Sequence, residues 1–170
     1  DTFPSKSKSD ENLGLTEGLT EALTFLATPK ISQFTSGYYL EGVFLTQLSL
    51  IIDFNTILSS YFKNEGITKI EAELNSIMSY YLFRQIENNF LFRNYDIKTE
   101  LVNTIQTTLI KYFFAKLEKE MTNQTKTKEE LINMIDLYES KLITEDIIKS
   151  NGRNIENYLN VNESLEEFQK

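Results

Sequence analysis

Apolar residues recur along this chain three and four positions apart, the spacing that lines one face of a helix. Leu19, Leu23 and Leu26 open the pattern and predict a short first helix from Thr16, ended at Thr28-Pro29 because proline drives the residue before it out of the α region. The next segment, about 38–63, is apolar around most of a helix circumference, with Val43, Phe44, Leu45, Leu48, Ile51, Ile52, Phe54, Ile57 and Tyr61. Its polar positions Thr46, Ser49, Asp53, Thr56, Ser60 and Lys63 fall in one narrow stripe. The expected element is one long helix surrounded by others.

Asn64-Glu65-Gly66 then supplies a stop, and Thr68-x-x-Glu71 reads as a capping box opening a third helix to about residue 92, with Ile70, Leu74, Ile77 and Tyr81 inward. Asp96 is the expected N-cap of a fourth helix over about 97–121, burying Ile105, Leu109, Tyr112, Phe113 and Leu117. After a polar turn, a second capping box at Thr127-x-x-Glu130 precedes the apolar series Leu131, Met134, Ile135, Tyr138 and Leu142. Shorter pieces around Ile147 and Ile155 follow, separated by Gly152. Residues 1–15 lack periodicity and are read as a flexible N-terminal arm, and 16–170 as a single domain. The expected fold is all-α, an antiparallel helical bundle of three long helices plus shorter terminal helices.

Composition narrows the partners. At 170 residues folding removes roughly 70% of the unfolded chain's accessible surface, enough for a core without staples. A net charge of −8 repels phosphate backbones and anionic membrane surfaces, and the three arginines, Arg84, Arg93 and Arg153, build no basic face, so no nucleic acid is expected. The longest uncharged apolar stretch, from Gly42 to Ile52, is too short to cross a membrane, for which about 18 residues are needed, and no membrane span is expected. The chain opens at Asp1 without methionine and continues into a polar run from Ser5 to Asn12, a pattern that fits either a mature protein cut from a leader or a trimmed sequence and tilts the expectation toward an exported protein.

Histidine and cysteine are both absent, which removes the commonest general base, the thiol nucleophile and the usual zinc, haem and di-iron ligands; no cofactor and no metal are expected. No Gly-rich phosphate loop or nucleophile elbow occurs among the six glycines. The carboxylate pairs Glu71/Glu73, Glu118/Glu120 and Glu129/Glu130 do not share a helix face, so an enzyme working through carboxylates and Mg²⁺ has no ligand constellation. Asn123-Gln124-Thr125 and Asn162-Glu163-Ser164 match the glycosylation acceptor, as chance allows in an asparagine-rich chain.

Twelve phenylalanines and nine tyrosines are more than a bundle needs. Neighbours such as Tyr38-Tyr39, Tyr80-Tyr81 and Phe113-Phe114 diverge from a helix, so some must lie on a second apolar face. Tyr39, Tyr80, Phe83, Arg84 and Phe114 are the candidates for that face, with Arg84 stacked on its aromatic neighbours or paired with Glu87. The leading expectation is a non-enzymatic helical module that binds another protein or itself, such as an adaptor, an immunity or antitoxin-like inhibitor, or an exported surface protein. The alternative is a bundle holding a small apolar ligand between its long helices, in a cavity lined by Phe44, Phe54, Tyr61, Tyr81 and Tyr112 and given polarity by Asp53.

Overall fold

A computed structural model describes residues 13–27, 39–63, 68–78 and 99–145. Among the described residues every regular element is a helix: α1 Leu13–Ala27, α2 Tyr39–Ser49, α3 Phe54–Phe62, α4 Thr68–Ile77, α5 Thr99–Asn123 and α6 Lys128–Ser140. The all-α expectation therefore holds. Among the described helices α5, at 25 residues, is the longest.

The helix expected over 38–63 is two helices. Leu50, Ile51 and Ile52 form a turn, with Ile51 N donating to Leu48 O at 2.9 Å, and Asp53 then leaves the helix at φ −63°, ψ 126° to cap α3. Its carboxylate accepts from Asn55 N at 3.0 Å, the side chain satisfying a donor that the first turn leaves without a partner. The break has a packing reason. A straight helix carrying so many apolar residues needs neighbours on every side, whereas the elbow buries Leu50, Ile51 and Ile52 together and turns Phe54 and Ile57 inward on a new axis. Asp53 therefore interrupts no buried helix; it is an exposed cap.

α1 packs along α2, α2 and α4 both contact α5, and α3 lies on α4. The core runs through Leu15, Leu19, Phe44, Leu48, Ile57, Leu74, Ile105 and Tyr112, all at most 1% exposed. α1 begins at Leu13, so Leu15 belongs to this core and not to the arm expected over 1–15. α4 starts at Thr68, which is the first helical residue and not the residue before the helix, as the capping-box reading of Thr68 requires.

The Thr127 capping box is present as expected. Thr127 N donates to Glu130 Oε2 at 2.6 Å and Glu130 N donates to Thr127 Oγ1 at 3.2 Å. These bonds hold the Glu130 carboxyl below its ordinary 4.5, with Lys126 adding a smaller pull. Because the folded pKa is the lower one, the capping contribution is present above the ordinary value and is lost as pH falls through the depressed value. An NMR titration should place the Glu130 midpoint below 4.5 and raise it only part of the way in Thr127→Ala, which keeps the backbone donor but loses the hydroxyl, and with it about 1 kcal/mol of capping stability.

Before that box, α5 ends in a turn with Gln124 at φ 53°. Gln124 N returns to Met121 O and Thr125 N to Glu120 O, both at 3.2 Å, which satisfies carbonyls of the last helical turn. The reversal sends α6 back along α5, and Phe113 stacks on Tyr138 with ring centroids 4.0 Å apart and planes 15° from parallel. That contact sets the register of the α5–α6 hairpin.

Among the described residues Ser60 Oγ is the one buried side-chain polar atom without a hydrogen-bond partner. Ser60→Ala should accordingly raise stability by about 1 kcal/mol, read as a higher urea midpoint with an unchanged slope.

Candidate functional site

Two regions have the features of a site. One is a cleft of about 470 Å³ between the α2–α3 elbow, α4 and the C-terminal end of α5, bordered by Asp53, Glu73, Ser76, Lys116, Lys119 and Glu120. Its charged groups serve the ends of helices. Lys116 Nζ donates to Leu50 O at 3.1 Å, beyond the last turn of α2, and Lys119 Nζ donates to Ser76 O at 3.3 Å, in the last turn of α4. Glu73 Oε1 accepts from Asp53 N at 2.8 Å, and Glu120 accepts from the Thr125 hydroxyl.

Burial pushes the Lys116 ammonium below its ordinary 10.5, opposed by the nearby carboxylates of Glu120 and Glu73. Each carboxylate thus has a structural task, and among the described residues no group of three acidic side chains is placed to hold a metal ion. The cleft stitches three helix ends together. Of the described residues proposed for a ligand cavity, Asp53 alone borders it.

The other region is the outer side of the α5–α6 hairpin. Ile105, Leu109 and Tyr112 point α5 into the core, Phe113 and Leu117 turn toward α6, and Phe114 is a further 100° round the helix. It emerges on the side away from α2, 57% exposed. Met121, two turns later on the same stripe, is 62% exposed. On α6, Tyr138 faces Phe113 and Gln47, which leaves Ile135 and Ile132 at 39% and 45% exposed. Because the two helices run antiparallel, the phases of these stripes bring them to the same outer side, with Phe114 level with the Ile135 turn.

No known protein family, curated protein or solved structure matches this chain.

Of the five residues expected on an interaction face, Phe114 is exposed as that reading requires. Tyr39 begins α2, but its side chain lies outside the described part, and Tyr80, Phe83 and Arg84 lie outside the described residues. Among the cavity candidates, Phe44 and Tyr112 are fully buried at 0% exposure, and Phe54 is 6% exposed. Tyr61 is half-buried, edge-on to Phe62 at 4.9 Å, and Tyr81 lies outside the described residues. Asp53 is exposed on the elbow.

Sequence reasoning missed Met121, Ile132 and Ile135. Ile135 is exposed because the core side of α6 is set by Tyr138, with Met134 one turn and Leu131 two turns back on that side, which rotates Ile135 to the rim. Met121 was recoverable, since it follows Phe114 by seven residues, the spacing of a stripe. No described helix is long and apolar enough to cross a membrane.

Proposed function

We propose that this chain is a non-enzymatic helical interaction module that docks another protein on the outer face of the α5–α6 hairpin. The observation that carries the reading is the exposure of Phe114, Met121, Ile132 and Ile135 on two helices that the Phe113–Tyr138 stack holds side by side. Single exposed apolar residues are ordinary, but a contiguous group rimmed by charge is the usual centre of a docking surface. Phe114 supplies the large, rigid contact that dominates such surfaces at little entropic cost. Lack of histidine and cysteine supports a binding role over a chemical one.

The test is site-specific photo-crosslinking in the source cell, with the reactive residue replacing Phe114 in one variant and Asn103, exposed on the N-terminal half of α5, in another. A discrete adduct from position 114 and none from 103 is the expected result. Equal labelling from both, or none from either, refutes the reading.

A further inference from the structure

The outer face of the hairpin also specifies the chemistry of what covers it. Resting on the docking face just described, we infer that the partner presents an amphipathic helix with basic flanks, laid along the seam between α5 and α6.

Among the described residues there is no strand, so a partner cannot add itself to a sheet edge. What the hairpin offers is a seam between two antiparallel helices with apolar side chains on both banks, Phe114 and Met121 on one and Ile132 and Ile135 on the other. Such a surface accepts the apolar stripe of a third helix, whose anchors fall every three or four residues.

Charge around those anchors selects the flanks. Glu118 lies four residues after Phe114 and three before Met121, on the same stripe of α5. On α6, Glu129 precedes Ile132 by three, and Asp136 and Glu139 follow Ile132 and Ile135 by four. All four carboxylates are exposed, and among the described residues only two exposed lysines, Lys111 and Lys128, share the rim with them. The rim is net negative, on a chain whose total charge is −8. Lysine or arginine on a partner's flanks meets these carboxylates, while an acidic partner is repelled. A second copy of this chain would bring the same carboxylates against themselves and is disfavoured for that reason.

The experiment uses the full chain and two labelled synthetic peptides of equal length with leucine at helical i, i+3, i+4 and i+7 positions, one with lysine and the other with glutamate at the flanking positions, followed by fluorescence anisotropy. The lysine peptide is expected to bind at least tenfold more tightly than the glutamate peptide, and to weaken severalfold when salt is raised from low to about 0.3 M. Phe114→Ala and Ile135→Ala should each weaken it about tenfold. Asp136→Lys with Glu139→Lys should narrow or reverse the preference between the peptides.

If both peptides bind alike and both need Phe114, the docking face stands and the basic preference is overturned. If the lysine peptide binds equally well without Phe114 and Ile135, it is following net charge alone, and the docking face falls as well. Binding of neither peptide overturns the helix-in-groove inference. A dimer in sedimentation that Phe114→Asp dissociates overturns it too, because a second copy would then be the occupant.

Discussion

Replacing Gln47 by leucine should destabilise the protein by about 3 kcal/mol, although the substitution is nearly isosteric and places an apolar side chain in an apolar core. Gln47 has no solvent exposure. Its Nε2 donates to Lys141 O at 2.8 Å and to Gln106 Oε1 at 3.1 Å, and its Oε1 accepts the Tyr138 hydroxyl at 3.4 Å. Gln106 in turn receives Ile143 N at 2.7 Å and donates to Ile143 O at 3.1 Å, so that two amides from α2 and α5 hold the chain as it leaves α6.

Leucine at position 47 leaves the Lys141 carbonyl and the buried Tyr138 hydroxyl without these partners. Each such orphan costs about 1–3 kcal/mol, with the smaller share from the long Tyr138 bond, and the added apolar burial offsets only part of the loss. The melting temperature should fall by about 5–10 °C in a chain of this size. Ile143 N–H exchange should also accelerate, because the amide that accepts from it is no longer held by Gln47. Gln106→Leu should be similarly damaging, and the double variant should lose less than both singles together. Additive losses in the double variant would show that the two amides act independently, and a Gln47→Leu loss under about 0.5 kcal/mol would show that these buried bonds contribute little.

This network marks where sequence reading stops. Periodicity locates helices because burial on one face is a local property, so α1, α5 and α6 were legible to within a few residues, as was the Thr127 capping box. Gln47 and Gln106 carry no such signal: they are 59 positions apart, and their pairing follows from the way α2 meets α5. The elbow at Asp53 was concealed for a related reason. An apolar segment reads as one helix whether it runs straight or bends, and the choice between the two depended on Lys116 and Glu73 reaching the freed carbonyl and amide from other helices.

On the outer side of the α5–α6 hairpin Phe114 is exposed beside a buried Phe113, as two adjacent aromatics cannot share a helix face. The surplus of aromatics said nothing of Ile132 and Ile135, where α6 presents more apolar residues than one face holds and packing against Phe113 decides which remain outside.

Gly18→Val should detach α1 from α2, with a stability loss of about 3 kcal/mol. Gly18 lies between Leu15 and Leu19 on the buried face of α1, where a glycine gives up about 1 kcal/mol of helix propensity relative to alanine. What it provides is closeness. A Cβ at this position would lie 2.6 Å from the Glu41 carbonyl oxygen and 2.9 Å from its carbon, with Leu45 Cβ at 3.4 Å. The first two are backbone atoms within α2 and cannot swing aside, so the helices must part, and Leu15 and Leu19 lose contacts along with the glycine.

Alanine at 18 recovers propensity but keeps the clash, for a net loss of about 1–2 kcal/mol, so the order glycine, alanine, valine should be one of falling stability. That order inverts the helix propensities of glycine and alanine, which is what makes it diagnostic. Thr24→Ala, on the exposed side of the same helix, should stay within about 0.5 kcal/mol of the parent. Amide exchange should locate the damage in α1 and the facing turns of α2. If alanine at 18 were as stable as glycine or more so, α1 could not lie as close to α2 as the 2.6 Å approach requires.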